Sequence, residues 1–185
     1  MGNSSFAHPN RNIKALGIEP GMRVADFGSG SGAYVLAIAD ALNGSGTVYA
    51  VDIQKDLLRR IKNEAMRRSL AVEVVWGDLE DNQGSKLADN SLDVVLISNL
   101  LFQVRDRAAV LAEAARVVRP NGRVVIIDWS ESYGGMGPQP EDVCIEDAAR
   151  ALARDVGLQE ADSFNAGAHH YGLIFRKTVR KGGGA

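Results

Sequence analysis

Residues 24–32 read Val-Ala-Asp-Phe-Gly-Ser-Gly-Ser-Gly, so an apolar run ends in an acidic residue followed by three alternating glycines. The run Met22–Phe27 predicts a short strand, and the spacing Asp-x-Gly-x-Gly-x-Gly that begins at Asp26 predicts a sharp turn from that strand into a helix. Glycine permits backbone angles that are closed to other residues and lets a ligand lie against the main chain. We therefore expect a nucleoside-containing ligand at this turn.

Length and composition indicate one ordinary globular domain. The chain has 185 residues and a net charge of −2, with 45% hydrophobic and 24% charged residues, and this charge gives no overall attraction to nucleic acid. Cys144 is the only cysteine, which excludes an intrachain disulfide and a cysteine-rich zinc site, so no metal is expected. No apolar run reaches membrane-spanning length, and the N-terminus lacks the apolar core of a signal peptide. We expect a cytoplasmic protein without membrane insertion.

Strands and helices alternate along most of the chain. The predicted helices are Ala33–Leu42, Lys55–Ser69, Arg107–Val118 and Glu141–Val156, and the further predicted strands are Thr47–Ile53, Val72–Trp76, Ser91–Ser98 and Arg123–Asp128. Leu158–Asn165 and Tyr171–Thr178 predict an antiparallel hairpin around the turn 166–168. This order predicts an α/β fold with a parallel sheet, right-handed crossovers and the hairpin at one edge. We expect one domain over residues 10–180, a disordered segment 1–9 and a flexible tail 181–185.

Polar residues stand at the carboxyl ends of four predicted strands. Asp26 follows the first strand, Asp52 the second and Asp78 the third, and Ser98 and Asn99 follow the fourth. In an open parallel sheet, ligands bind beyond these ends, at the point where the strand order reverses. One acidic residue after a strand is often only the N-cap of the next helix, but suitable chemistry at four strand ends favours a ligand site.

Each of these residues has a role that suits a nucleoside. Asp52 follows the first glycine at the distance where nucleoside-binding folds place a carboxylate on the ribose hydroxyls. Asp78 is placed to accept a hydrogen bond from an adenine amine, with Leu79 and Ile53 on the two faces of the ring. The expected cofactor-binding residues are Asp26, Gly28, Ser29, Gly30, Gly32, Asp52, Ile53, Gln54, Gly77, Asp78, Leu79, Ser98 and Asn99.

The glycine spacing separates two classes of cofactor. Dinucleotide-binding folds use Gly-x-Gly-x-x-Gly, in which a helix N-terminus faces a pyrophosphate. Here the spacing is Gly-x-Gly-x-Gly after an acid, so no pyrophosphate need be held. The pattern suits a cofactor with an amino-acid end, whose ammonium group Asp26 helps to neutralise directly or through water.

Five segments in order resemble the motifs of class I S-adenosylmethionine-dependent methyltransferases, and the resemblance spans residues 12–177. The segments are 24–32, Val-Tyr-Ala-Val-Asp-Ile (48–53), Trp-Gly-Asp-Leu (76–79), Leu-Asp-Val-Val-Leu-Ile-Ser-Asn (92–99) and Ala-Arg-Val-Val-Arg-Pro-Asn-Gly-Arg-Val-Val-Ile-Ile-Asp (115–128). The chain looks most like the small ubiquinone/menaquinone-biosynthesis-like group, with its generic methyltransferase domain. The resemblance implies a Rossmann-like seven-stranded sheet of order 3-2-1-4-5-7-6, with strand 7 antiparallel and helices on both faces. It also implies S-adenosylmethionine as cofactor, S-adenosylhomocysteine as product, and methyl transfer by in-line displacement.

Candidates for catalysis are Asn99, Asp128 and His170. The segment from Asn99 to Phe102 occupies the place of Asn/Asp-Pro-Pro-Tyr/Phe in many amino-group methyltransferases, but both prolines are missing, which argues against adenine- or glutamine-type methylation. A structural cap is an alternative role for Asn99. Because side chains alternate along a strand, only one of His169 and His170 can face the cleft, and the simpler interpretation is that both are exposed beside the turn.

The expected acceptor is a small molecule. A basic stretch on the second long helix is typical of a solvated helix face, and aromatic residues are only 6% of the chain, which disfavours RNA binding. RNA or protein methylation remains an alternative, as do an aminopropyltransferase, an NAD-dependent oxidoreductase and a non-catalytic methyltransferase-like binding subunit. The sequence indicates neither the acceptor atom nor the oligomeric state.

Overall fold

The computed structural model describes residues 7–178. The elements in chain order are α1 (Pro9–Asn12), β1 (Arg23–Phe27), α2 (Ala33–Ala41), β2 (Thr47–Asp52), α3 (Lys55–Arg67), β3 (Val72–Trp76), β4 (Leu92–Ser98), α4 (Arg107–Val117), β5 (Val118–Trp129), α5 (Glu146–Asp155), β6 (Leu158–Gly167) and β7 (His170–Lys177). Ala7 packs against the core and Pro9 begins α1. Residues 1–6 and the expected tail 181–185 lie outside the described residues, so the proposed division of the chain stays a prediction.

The seven strands form one sheet of order β3-β2-β1-β4-β5-β7-β6. Strands β1 to β5 run parallel to one another, and β7 is antiparallel to both β5 and β6. The predicted order and the antiparallel seventh strand are confirmed. The strand order reverses between β1 and β4, so their carboxyl ends border the crevice where this type of sheet binds ligands.

Helices cover both faces of the sheet because its central strands are apolar on both sides. In β4, Val95 and Ile97 belong to one buried cluster, while Val94 and Leu96 belong to the other. Helices α4 and α5 pack on the first cluster, and α2 and α3 pack on the second. Continuous apolar runs in parallel strands reflect this double burial. The predicted helices on both faces are confirmed.

Several predicted boundaries differ from those of the structure, and three of these differences involve tertiary contacts. Helix α5 begins at Glu146 and not at residue 141, because Cys144 is buried and its carbonyl accepts a 2.8 Å hydrogen bond from the Tyr171 hydroxyl. The hairpin turn is shorter than expected, because β6 continues to Gly167 through a bulge before the chain turns at His169, where φ is +63°. Strand β5 already begins at Val118, where it pairs with Leu92 of β4.

Asn12 ties α1 to the rest of the fold. Its side chain is 3% exposed, and its amide nitrogen donates to the Tyr34 hydroxyl at 3.0 Å and to the Ala166 carbonyl at 2.9 Å. One residue thus joins the N-terminal helix, α2 and the β6–β7 hairpin.

Asn12→Ala is expected to lower the free energy of unfolding by about 1–3 kcal/mol, because it leaves buried acceptors without a donor. In thermal unfolding this corresponds to roughly 2–4 °C in Tm for each kcal/mol. Asn10→Ala is the matched control, since Asn10 lies on the same helix and is exposed. Equal Tm values for the two variants would contradict this role of Asn12.

Candidate active site

Two adjoining cavities lie at the carboxyl ends of β1, β2 and β4. Their volumes are about 210 Å³ and about 240 Å³, and Gly28, Gly30 and Gln103 line both. The first cavity is also lined by Asp52, Ile53, Gln54, Asp78, Leu79, Glu80, Leu100 and Val104. The second is also lined by Ala7, Pro9, Asp26, Ser29, Ser31, Ala33, Tyr34, Ser98 and Asn99. The glycine turn therefore stands between two chambers of one cleft.

Asp52 is held at the first cavity by the backbone of two turns. One carboxylate oxygen accepts from the Gly30 N–H at 2.8 Å, and the other accepts from the Gln54 N–H at 2.8 Å. An ionised carboxylate has about four lone-pair positions, so each oxygen retains one for a ligand. Two neighbouring hydroxyl groups, as in a ribose, match this geometry.

Apolar surface and a further carboxylate complete the first cavity. Ile53 is 55% exposed at its wall, and its carbonyl accepts a 2.9 Å hydrogen bond from the Trp76 indole. Leu79 also lines this cavity, and Asp78 accepts from the Glu80 N–H at 3.0 Å through one oxygen. Apolar walls beside a carboxylate suit a flat base that carries an amine.

Asp26 gives the second cavity an acidic character. Its side chain is 2% exposed, and burial, with a contribution from the Asp52 carboxylate, raises the pKa of Asp26 to about 8. The buried Ser29 hydroxyl also lines this cavity and has no hydrogen-bond partner among residues 7–178. Buried polar groups are usually hydrogen-bonded. This pair therefore fits the ammonium and carboxylate groups of an amino-acid end.

The three glycines of the turn all adopt left-handed backbone angles, but they face different neighbours. A Cβ on Gly28, where φ is +71°, would lie 2.7 Å from Leu100 at the cavity. On Gly32, where φ is +83°, it would lie 2.6 Å from Ile61 of α3. A Cβ on Gly77 would lie 2.0 Å from the Gly84 carbonyl oxygen. Gly32 and Gly77 line neither cavity, so the structure places them in packing contacts and gathers the other predicted cofactor residues around the cleft.

The three catalytic candidates occupy different environments. Asn99 lines the second cavity. Asp128 is fully buried and accepts from the backbone N–H groups of Leu101 and Trp129 at 2.9 and 2.8 Å. Burial raises the pKa of Asp128 to about 6. This carboxylate anchors the turn after β4 and lines neither cavity.

His170 lies behind Asn99. It is 6% exposed, so the interpretation that both histidines are exposed beside the turn was wrong for this residue. Its Nε2 atom lies 3.0 Å from Asn99 Oδ1, while His169 Nδ1 lies 2.7 Å from a Glu131 oxygen. His169 lies in the turn at φ +63°, whereas His170 is the first residue of β7, and of the two only His170 reaches the cleft, through Asn99.

Comparison with known proteins decides the family. Residues 18–174 match the family Methyltransf_31, described as "Methyltransferase domain". The chain belongs to this methyltransferase family. The resemblance to class I S-adenosylmethionine-dependent methyltransferases of the ubiquinone/menaquinone-biosynthesis-like group is thereby confirmed.

Relatives of this methyltransferase domain agree with the assignment. The chain is 32% identical over 120 residues to a demethylmenaquinone methyltransferase of Geobacillus sp., covering 64% of this chain and 50% of that protein. It is 29% identical over 121 residues to the ubiquinone/menaquinone biosynthesis C-methyltransferase UbiE of Cupriavidus taiwanensis, covering 65% and 49%. The chain thus spans about half the length of the curated relatives it matches. A solved SAM-dependent methyltransferase from Aquifex aeolicus is 26% identical, with a TM-score of 0.82 and coverage of 92% of this chain and 89% of that one.

Several lining residues of the domain were not predicted from sequence. Tyr34 and Gln103 contribute polar atoms, and Leu100 and Val104 contribute apolar surface. Tyr34 lies in an apolar run that indicates helix packing, and only the turn after β4 brings Gln103 to both cavities. No group of histidine, cysteine or acidic side chains within residues 7–178 could hold a metal ion. No helix in the same range is both long and apolar enough to span a membrane.

Proposed function

We propose that this chain transfers a methyl group from S-adenosylmethionine to a small-molecule acceptor. The observation that carries the proposal is the division of one cleft at Gly28 and Gly30, with Asp52 and Asp78 on one side and Asp26 on the other. A nucleoside with an amino-acid end needs this sequence of groups: an apolar slot with a carboxylate for the base, a carboxylate for the ribose, and an acid for the ammonium. The methyltransferase family of the chain supports this cofactor.

The chain's own residues would act by positioning. S-adenosylmethionine supplies a methyl group on a sulfonium; the bond from the nucleophile to carbon forms, the carbon–sulfur bond breaks, and sulfur keeps the electron pair. A nucleophile that carries a proton releases it to water, since the described cleft residues include no assigned base. Asp78 and Asp26 would hold the two ends of the donor and Asp52 its ribose, and such orientation can supply roughly 7–11 kcal/mol of the barrier reduction.

The surface supports a small acceptor over RNA. Three arginines on α3 and at its C-cap have acidic partners: Arg59 with Asp56 at 3.1 Å, Arg67 with Glu64 at 2.7 Å, and Arg68 with Asp40 at 2.5 Å. A stripe of free cations leading to the cleft would be needed to hold phosphates. The names of the curated relatives, which refer to quinone biosynthesis, support a small acceptor too. We further propose a cytoplasmic location.

Calorimetry and a labelled methyl-transfer assay test this function together. S-adenosylhomocysteine is expected to bind with a dissociation constant in the micromolar range, while NAD is expected not to bind. Tritium from S-[methyl-³H]adenosylmethionine is then expected in small phenols or amines and not in RNA. Transfer to RNA with a steep salt dependence would favour the RNA alternative. Absence of binding of both adenosyl compounds at millimolar concentration would contradict the proposed function.

A further inference from the structure

The environment of His170 constrains which of its ring nitrogens carries hydrogen. Nδ1 lies 2.9 Å from the Ala168 carbonyl oxygen, and Nε2 lies 3.0 Å from Asn99 Oδ1. A backbone carbonyl can only accept, so Nδ1 must carry the hydrogen. Burial lowers the pKa of His170, with a further contribution from the charge of His169. At neutral pH the ring is therefore uncharged, and Nε2 is a bare acceptor.

A bare Nε2 requires a donor from Asn99. A half-turn of the carboxamide exchanges its oxygen and nitrogen with almost no change of shape. The amide nitrogen then donates to Nε2, and the oxygen turns away from the ring. Asn99 lines the second cavity beside Asp26 and Ser98. Its carboxamide oxygen, which then points away from His170, is therefore directed into the cleft.

The rest of Asn99 has little freedom to move. Its backbone lies in the left-handed region at φ +52°, which asparagine tolerates better than most residues. Its N–H donates to the Ile127 carbonyl at 2.8 Å, and its carbonyl accepts from the Gln103 side chain at 2.5 Å. The His170 ring is itself held against Trp129, with ring centres 4.3 Å apart. The carboxamide orientation is thus the remaining variable, and His170 sets it.

We propose that His170 is a positioning residue that directs the Asn99 carboxamide oxygen into the cleft, where the methyl acceptor presents an O–H or N–H hydrogen to it. The role in the acceptor site rests on the proposed methyl transfer. Asp26 and Ser29 already match the amino-acid end of the donor, which leaves the Asn99 oxygen for the acceptor. The inferred substrate class is a small molecule with a hydroxyl or amine hydrogen at the reacting end.

Nitrogen-15 NMR of protein labelled in both histidine and asparagine, at pH 7.5, tests the orientation without any assay of activity. We expect the His170 signals of a neutral ring with hydrogen on Nδ1, and a coupling partner for Nε2 in the Asn99 side-chain amide. A ring with hydrogen on Nε2, or with hydrogen on both nitrogens, would overturn the proposal, because Asn99 would then present its NH₂ group to the cleft.

Binding of phenol and anisole, which differ in one hydrogen-bond donor, tests the acceptor class. With and without S-adenosylhomocysteine, wild-type protein is expected to bind phenol about three- to tenfold more tightly than anisole, as for one neutral hydrogen bond. His170→Phe should bring the ratio close to one, while His169→Asn, on the neighbouring ring that contacts Glu131, should preserve it. A ratio unchanged by His170→Phe would overturn the role.

The NMR and binding experiments together distinguish failure of this inference from failure of the proposed function. If S-adenosylhomocysteine fails to bind while the ring carries hydrogen on Nδ1 and phenol is preferred, methyl transfer is contradicted and the orientation of Asn99 stands. If S-adenosylhomocysteine binds and the NMR signals show hydrogen on Nε2, methyl transfer stands and the positioning role is overturned.

Discussion

Asp52→Ala is expected to weaken the binding of S-adenosylhomocysteine by roughly 100-fold or more. Each hydrogen bond to a charged group contributes about 1.5–3 kcal/mol, and two ribose hydroxyls on one carboxylate reach 100-fold at the lower limit. The carboxylate oxygens are oriented by Gly30 and Gln54 before any ligand arrives, so little of this contribution is lost in ordering the site. Isothermal titration calorimetry measures the change directly.

Two controls separate ligand binding from folding. Asp56→Ala removes a carboxylate from the first turn of α3, where it is exposed, and should leave the affinity unchanged. Comparison of 5′-methylthioadenosine with its 2′-deoxy analogue isolates the ribose. Wild-type protein should prefer the ribonucleoside, and Asp52→Ala should not. An equal preference in both proteins would show that Asp52 does not contact the ribose.

Asp26→Asn is expected to stabilise the ligand-free protein above neutral pH while it weakens cofactor binding by roughly tenfold or more, as for one lost interaction with a charged group. The folded-state pKa of about 8 lies above the usual value of 3.8, so the folded protein binds the proton more tightly than the unfolded chain. This contribution to stability is present below pH 4 and is lost as pH rises towards 8. The difference in Tm between Asp26→Asn and wild type should therefore grow over this range.

Cofactor binding should also depend on pH, because the Asp26 carboxyl group gains or loses its proton in this range. An ammonium group beside Asp26 favours the ionised carboxylate, so binding at pH 7 releases its proton. The amino group of a free amino acid stays protonated in this range, and wild-type affinity should therefore increase from pH 6 to pH 8. Asp26→Asn should lose this dependence. An affinity that decreases with pH in wild-type protein would contradict the assignment of Asp26 to the ammonium.

Asp128 is a buried carboxylate with a structural role, so its substitution serves as a comparison for Asp26→Asn. Both of its oxygens accept from backbone N–H groups, and asparagine can offer only one acceptor in their place. Asp128→Asn therefore leaves a backbone N–H without its acceptor, and its Tm should lie below that of Asp26→Asn at pH 8. Proteins often place destabilising groups at functional sites, and this order would mark Asp26 as such a group.

The sequence predicted the strand-end residues because their position follows from topology alone. Asp52 and Asp78 end neighbouring parallel strands, so any register of the sheet brings them to the same edge. The role of Gly32 could not be predicted in the same way. A glycine motif shows that the backbone needs a left-handed angle, but it does not show whether a ligand or another side chain, here Ile61, fills the space.

The residues behind the cleft depend on contacts between distant segments. His170 and Asn99 are 71 positions apart, and their contact requires β7 to pair with β5 in the register that sets His170 opposite Trp129. Alternation along the strand indicated that one histidine would face the cleft, but the turn length decided which one. Asp128 likewise looked like a cleft residue because it ends the predicted fifth strand, whereas Leu101 in the turn after β4 donates to one of its oxygens and the Trp129 N–H donates to the other.

A crystal structure of the chain with S-adenosylhomocysteine would show how the cofactor lies against the residues of the two cavities. We expect both ribose hydroxyls to donate to Asp52 and the ammonium to lie within about 3 Å of an Asp26 oxygen. The adenine should lie between Ile53 and Leu79 with its amine at Asp78. A ligand bound elsewhere, or one whose amino-acid end points away from Asp26, would contradict the account.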